Sequence, residues 1–441
     1  MTRFSILLFC SIASAVPFTL LTRQAVPDDE VCKLEVYKAS SWSKSGGEAR
    51  LKQWIKDHGE EQWLSKMELE ITGSNSNVDC SHIQSKNCNG PKQECLQTKE
   101  PSWYYVQQMA SQVNSHLDML HENLQSFVVQ RTMEMDNILE DFEIKESDIG
   151  KILGIANGAA GIGSVIAGAT GNAPAAAGLA TLAGLLQIGG SVIEEPDQAD
   201  LKTAMSDYLN SIFVKTEENV ARLLLRLFGE DTEDKILDDT LKSMSDLGFS
   251  TGSSNEKSAI IRFLSSGASL EKLSSKPVQE ALQRVFDLMR QGMIGALLAE
   301  SKVYVLSNTK RKESDCKHEG MRYVDGACNE LFQFDPRDQQ SYRVPKEWYA
   351  RLKDNYGFDR TQMYRNVIRC NNKPPGPKDS GLYPPCFFGL PVLRTDTVTN
   401  SAKDEWCSAT NKKELPDWLN SDKGNWHPCA KMDEWIVPGG M

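Results

Sequence analysis

The feature that most constrains this chain is a run of 42 residues, Ile152–Ile193, that contains no charged side chain, although 25% of all residues in the chain are charged. Glycine, alanine, isoleucine and leucine dominate this uncharged run. A helix crosses the hydrocarbon core of a bilayer with about 20 apolar residues. Asn172 and Pro174 divide the run into two segments of about that length, 152–171 and 173–193. The sequence therefore predicts an apolar helical hairpin, which belongs inside either a protein core or a membrane.

Small residues at four-residue spacing open the hairpin and predict close contact between its helices. Each leucine, isoleucine or valine contributes only about 0.3–0.6 kcal/mol to insertion, and glycine and alanine contribute little. The predicted membrane affinity is therefore marginal, which favours conditional insertion over a permanent anchor. The residues predicted to form the membrane hairpin are Gly150, Gly154, Gly158, Ile162, Val165, Ile166, Pro174, Leu179, Leu182, Leu185, Leu186 and Ile188.

The first 15 residues have the pattern of a cleavable secretory signal peptide. Arg3 precedes a short apolar stretch, and Ala13 and Ala15 are the small residues expected before a cleavage site. The apolar stretch is too short to span a bilayer as an anchor. We therefore expect a secreted, extracellular protein that begins after Ala15.

Cysteine spacing predicts disulfide bonds near the two ends of the chain. Of the eleven cysteines, Cys10 leaves with the signal peptide, so that ten remain, and an even number in a secreted chain indicates pairs. Four cysteines allow three pairing patterns and six allow fifteen, so the connectivity stays open. The N-terminal group is Cys32, Cys80, Cys88 and Cys95, and the C-terminal group is Cys316, Cys328, Cys370, Cys386, Cys407 and Cys429.

The segments on both sides of the uncharged run have the periodicity of long amphipathic helices, which we call the stems. Before the run, Val106, Leu117 and Val128 are spaced by eleven residues, a repeat of about 3.67 residues per turn that predicts a long, nearly straight helix. After the run, apolar residues between 201 and 227 follow helical spacing. Both flanks are acidic: residues 104–151 hold nine acids and three bases, and the flank after the run is similarly unbalanced.

The predicted fold is mainly α, namely a helical bundle with long amphipathic stems and the Gly/Ala-rich hydrophobic hairpin, followed by a disulfide-rich α+β C-terminal domain. In the linker between these domains, Lys310 and Arg311 form a pair that is either a site for a dibasic-specific protease or an uncut solvated connection. The predicted parts are the signal peptide at 1–15, a polar leader and cysteine-containing N-terminal cap at 16–100, the helical domain at 101–306, the linker at 307–315 and the cysteine- and tryptophan-rich C-terminal domain at 316–441.

Little in the sequence points to catalysis, metal binding or nucleic acid. The net charge of −11 argues against nucleic acid, because binding to phosphates depends on cationic side chains. The six histidines form no ligand pair at one-turn spacing. Residues 248–252 match G-x-S-x-G around Ser250, but a helix is predicted where a nucleophile elbow needs a strand. We predict a non-enzymatic protein without catalytic, cofactor-binding or metal-binding residues. A hydrolase would require Ser250 or an acid pair in a cleft with a histidine.

The order of elements between Tyr104 and Phe228, a stem, an uncharged hairpin and a second stem, resembles that of the α-helical pore-forming cytolysins. The resemblance covers 125 of the 441 residues and is one of layout, without a shared motif. It implies a hydrophobic element that is stored against helices in the water-soluble form and released into a target bilayer.

The sequence therefore predicts a secreted membrane-active protein, pore-forming or effector-like, that inserts residues 152–193 conditionally. Its expected partner is a lipid bilayer or a cell-surface target, with a homo-oligomer as the expected membrane form. Protonation of the stem carboxylates in mild acid would weaken their repulsion from anionic lipid. Two alternatives stay open: a soluble secreted binding or structural protein with the hairpin as its buried core, and an extracellular protein anchored by the hairpin as two spans.

Overall fold

The computed structural model describes residues 27–73, 78–131, 138–142, 176–191, 201–335, 337, 340–372 and 388–394. The described chain is mainly helical, with a small sheet in its C-terminal region and three disulfide bonds between described cysteines. At this level the predictions of a mainly α fold and of disulfide bonds are confirmed.

Short helices form the N-terminal cap, and longer helices follow it. The cap contains α1 (Asp28–Val31), α2 (Ala39–Lys44), α3 (Gly47–His58) and α4 (Trp63–Thr72). The central helices are α5 (Pro101–Arg131), α6 (Ile138–Asp141), α7 (Ala176–Ser191), α8 (Leu201–Phe228), α9 (Ile236–Asp246), α10 (Ala259–Leu264) and α11 (Ser275–Glu300). The C-terminal region adds α12 (Lys346–Asp354) and α13 (Arg360–Asn372).

Helix α5 runs through the helical core. Its 31 residues are about 46 Å long at roughly 1.5 Å per residue. Pro101 occupies the first turn, where a missing amide hydrogen leaves no helical hydrogen bond unmade. This helix buries one stripe at spacings of three and four residues, which comprises Val106, Met109, Val113, Leu117, Leu120 and Leu124. The stripe belongs to the same buried cluster as residues of α8 and α11, which pack against α5.

Helix α7 lies between α8 and α9 and also contacts α5 and α11. Aromatic side chains join the surrounding helices: Phe127 on α5 contacts Phe213 on α8 and Phe286 on α11, with ring centroids 5.3 and 5.6 Å apart. The uncharged run therefore contributes a helix to the middle of this core, between elements that precede it and elements that follow it.

Contacts to the end of α8 fix the N-terminal cap to the core. The buried indole of Trp63 donates from Nε1 to the carbonyl oxygen of Leu227 at 2.7 Å. Arg226 pairs with Glu60 at 2.6 Å. The disulfides of this region join Cys32 to Cys95 and Cys80 to Cys88. Each described N-terminal cysteine thus pairs within its own sequence group.

The C-terminal region contains a five-stranded sheet of β1 (Val303–Asn308), β2 (Arg322–Val324), β3 (Ala327–Asp335), β4 (Gln340–Arg343) and β5 (Val392–Arg394). Strand β1 pairs antiparallel with β3 and parallel with β5, while β3 also pairs with β2 and β4. Because β1 begins before the predicted linker 307–315 and pairs with strands that follow it, the sheet includes both sides of that linker. Cys316 is bonded to Cys328, and Cys370 is also in a disulfide.

Candidate functional site

Helix α7 is the described part of the uncharged run. Its 16 residues, AAGLATLAGLLQIGGS, include no charged side chain. At roughly 1.5 Å per residue the helix is about 24 Å long, which is shorter than the roughly 30 Å of a bilayer core. Within the part of the chain that the structure describes, no helix combines the length and the apolar composition needed to cross a membrane.

Most of helix α7 is buried, with Ala177, Gln187 and Ile188 partly exposed. The predicted hairpin residues in this helix are Leu179, Leu182, Leu185, Leu186 and Ile188; the first four are at most 5% exposed, and Ile188 is half-buried against the same core. Ala180 and Ala183 are also buried. Because a helix turns once in 3.6 residues, these positions point in different directions. A helix that is apolar all round lies in either a protein core or a membrane, and here α7 lies in the core.

Glycines let three neighbouring elements approach α7 closely. A Cβ atom added at Gly184 would stand 3.1 Å from the carbonyl oxygen of Thr240 on α9. One added at Gly189 would stand 2.6 Å from Oγ1 of Thr216 on α8. One added at Gly178 would overlap a leucine side chain in the connection before α11. In this form of the protein, the glycines of the run therefore serve close packing against other helices.

His116 on α5 lies against the first turns of α7. It lines a small cavity together with Ala177, Gly178 and Thr181. Among the described residues, its Nε2 atom has no hydrogen-bond partner. Burial lowers the pKa of His116 to about 4, and a hydrogen bond to the backbone of Glu271 opposes this shift. His116 is therefore neutral at pH 7, and a proton added in acid would place a charge beside α7.

The remaining predicted hairpin residues lie outside the described residues. They are Gly150, Gly154, Gly158, Ile162, Val165, Ile166 and Pro174. Cys386, Cys407 and Cys429 also lie outside the described residues, as do the tryptophans that follow residue 394. The first half of the hairpin, its connection and the role of those tryptophans therefore stay predictions.

The segment just before the uncharged run is held by the C-terminal region. Phe142 is 1% exposed, and its ring lies 5.4 Å from that of Trp348 and 5.7 Å from that of Tyr356. Oδ2 of Asp141 accepts hydrogen bonds from Nδ2 of Asn355 at 2.8 Å and from the hydroxyl of Tyr356 at 2.7 Å. Burial and the neighbouring Asp141 raise the pKa of Tyr356, so that its hydroxyl keeps its proton as the donor. We call this contact the Asp141–Phe142 clamp.

The Lys310–Arg311 pair lies in the connection that follows β1. Oδ1 of Asn308 accepts hydrogen bonds from the backbone amides of Lys310 at 2.9 Å and of Arg311 at 3.2 Å. Lys310 is exposed and Arg311 is half-buried. The backbone at the pair is thus folded into a turn, and cleavage there stays a prediction.

Ser250 borders a cleft beside α7, together with Phe249, Thr251 and Phe263. The described lining of this cleft includes neither a histidine nor a carboxylate. Helix α9 precedes Ser250, whereas a nucleophile elbow follows a strand. In the described ranges, no group of three His, Cys, Asp or Glu residues is placed to hold a metal ion.

Two functional residues, His116 and Phe142, were not predicted as site residues, although the sequence carries a weak signal for each. His116 follows Val113 by three residues, so it lies beside the buried stripe of α5. Phe142 falls in the row that Met109 and Leu120 begin at eleven-residue spacing. The partners of Phe142 lie more than 200 residues further along the chain, and local spacing holds no information about such distant contacts.

Comparisons with protein families, with curated proteins and with solved structures find no match to this chain. The geometry of α7 and its neighbours is therefore the feature that indicates a function.

Proposed function

We propose that this chain is a secreted, non-enzymatic protein that acts on lipid bilayers and inserts residues 152–193 conditionally. The main support is helix α7, which is uncharged, mostly apolar and packed against α5, α8, α9 and α11. These helices come from both sides of the run in the sequence. A segment whose composition suits lipid is thereby kept away from water until acyl chains replace its protein neighbours.

The free energy of exposing α7 explains why insertion is conditional in this proposal. Moving a buried leucine into water costs about 1.5–3 kcal/mol, so the four buried leucines of α7 together oppose exposure by roughly 6–12 kcal/mol. This is comparable to the roughly 5–15 kcal/mol that stabilises a whole domain. The helix therefore leaves the core when a bilayer takes over its contacts directly or when a trigger first weakens the core.

The proposed setting is extracellular, and the disulfides among the described cysteines are compatible with it. The proposed partner is a lipid bilayer or a cell-surface target. The C-terminal region, which follows the helical core in the sequence, is the part that we assign to target recognition. A homo-oligomer is the proposed form in the membrane, because two short apolar helices from one chain do not enclose an aqueous channel.

A disulfide between α7 and α9 would test the proposal. A Cβ atom at position 184 would stand 3.2 Å from Cγ of Met244, which is close to the spacing of about 3 Å between a Cβ atom and the far sulfur of a disulfide. The double variant Gly184→Cys/Met244→Cys should therefore lock α7 in the core. Each single cysteine variant is the matched control.

The measurement is dye release from liposomes that contain anionic lipid, at pH 7 and at pH 5. We expect release by the wild type and by both single variants, faster at the lower pH and fastest for Gly184→Cys, whose added Cβ atom crowds the carbonyl oxygen of Thr240, and none by the oxidised double variant. A wild type that releases no dye at either pH would contradict the proposed function. Equal release by the locked protein would instead show that α7 stays in the core during the activity.

A second candidate is a soluble secreted binding or structural protein in which α7 never leaves the core. The tight glycine contacts of α7 favour this function. It predicts that the wild type releases no dye and that the locked variant keeps the folding and secretion of the wild type. The same set of variants therefore separates the two candidates.

A further inference from the structure

Residues 138–142 end ten residues before the uncharged run and dock onto the C-terminal region. Ile138 and Phe142 are buried, and the ring of Phe142 lies against Trp348 and Tyr356. The carbonyl oxygen of Asp141 accepts a hydrogen bond from Nη1 of Arg351 on α12, in addition to the two that its carboxylate accepts from Asn355 and Tyr356. This short segment is thus held by both its backbone and its side chains.

The clamp contacts helix α11, which also contacts α7. The guanidinium of Arg290 lies 5.4 Å from the ring of Tyr356 and 5.6 Å from the ring of Phe286. Arg290 and Phe286 belong to α11, which packs against α7. The segment that precedes the uncharged run, residues 138–142, is therefore linked through Tyr356 to α11, and α11 also packs against α7 in the second half of the run.

We infer that the Asp141–Phe142 clamp is an autoinhibitory contact, in which the C-terminal region holds the entrance of the uncharged run and must release it before the run inserts. The inference rests on the proposed function, since it names what restrains the same segment. The closed clamp ties the start of the run to α12 and the residues after it, because ten residues reach at most about 36 Å when fully extended, and a bilayer can take up Ile152 only within that distance of the clamp. While the clamp is closed, Ile152 cannot move farther than this from Phe142.

A charge exchange across the clamp would test the inference. Asn355→Asp places a carboxylate where the amide now donates to Asp141, so the two like charges should open the clamp. Adding Asp141→Asn to this variant places the amide at position 141 and the carboxylate at position 355. The two groups can again form a hydrogen bond, with their positions exchanged. Asn255→Asp adds the same charge in the exposed connection between α9 and α10 and is the matched control.

Two measurements follow the clamp and the activity separately. Trypsin cleavage after Lys145, identified by mass spectrometry, reports opening of the clamp, because Lys145 follows Phe142 by three residues. Dye release from anionic liposomes reports insertion. We expect Asn355→Asp to increase both rates between about two- and tenfold, while the exchanged pair and Asn255→Asp keep the rates of the wild type.

The outcomes separate this inference from the proposed function. Faster cleavage and faster dye release in Asn355→Asp, both reversed in the exchanged pair, support the inference. If the wild type releases dye but Asn355→Asp changes neither rate, or changes cleavage alone, the autoinhibitory role is wrong and the proposed function survives. If no variant releases dye, the proposed function fails and the autoinhibitory role fails with it.

Discussion

His116 is a titratable side chain enclosed by apolar helices, at the point where α5 meets the start of α7. It is 6% exposed, and burial lowers its pKa to about 4. An imidazole in an unfolded chain has a pKa of about 6.5. Between these two values the unfolded chain binds the proton and the folded chain does not. A fall in pH through this range therefore favours the unfolded chain.

We predict that this one residue makes the core sensitive to acid. Above pH 6.5 the neutral His116 makes its full contribution to the free energy of unfolding. This contribution is lost progressively toward pH 4, by about 3 kcal/mol in total. His116→Leu should remove this part of the pH dependence. Urea unfolding between pH 4.5 and pH 7 measures it, with His82→Gln, which changes an exposed histidine, as the control. Parallel pH profiles for His116→Leu and the wild type would contradict the prediction.

Among the elements, strand β1 joins the helical core to the C-terminal region. It follows α11 directly in the chain, and all six of its residues are buried between β3 and β5. Lys310 and Arg311 come after β1 and before β2, and the three disulfides between described cysteines each lie wholly on one side of this pair. Hydrogen bonds within the sheet therefore connect the two sides of the predicted processing site. None of these three disulfides does so.

We predict that a cut after Arg311 leaves the two fragments together. The six paired positions of β1 and β3, from Val303 with Gln333 to Asn308 with Cys328, continue across the cut. Size-exclusion chromatography of the cut protein should give one peak, which separates into two fragments only under denaturing conditions. Asn308→Ala should speed the cut, because it frees the two backbone amides that Asn308 accepts from. Two separate peaks without denaturant would show that the sheet does not hold the fragments.

The elements also show which parts of the fold the sequence predicts. Helical periodicity is local, so spacing alone predicts α5 and α8 and marks the buried positions of each, such as Val106 and Leu223. Strand pairing is not local: the composition of β1 suits a strand, but nothing near β1 in the sequence identifies its partners in β3 and β5. The clamp was not predicted because its contacts are not local either: Asp141 and Asn355 are 214 positions apart.

For the whole molecule, the disulfides determine how much freedom the unfolded chain keeps. Cys32 and Cys95 are 63 residues apart, whereas Cys80 and Cys88 are 8 apart. Closing a longer loop removes more conformational entropy from the unfolded chain. The first bond restrains the N-terminal cap as a whole, and the second restrains one loop of the cap beside α5.

We predict that the two N-terminal disulfides differ in their effect on stability. Replacing Cys32 and Cys95 with alanine should lower the free energy of unfolding by about 4 kcal/mol, and replacing Cys80 and Cys88 by about 2.5 kcal/mol. Urea unfolding of the two double variants under non-reducing conditions measures the difference, with the second variant serving as the size-matched control for the first. The reverse order would show that local packing outweighs loop length.

The hydrogen bond from Trp63 to the carbonyl of Leu227 sets an order of events during synthesis of the chain. Residue 63 emerges from the ribosome long before residue 227, so the tryptophan that closes the cap has no acceptor until α8 has been made. The cap therefore cannot complete its contacts with the core before the chain has been made as far as Leu227. More than 160 further residues must be made before the indole of Trp63 can form this hydrogen bond.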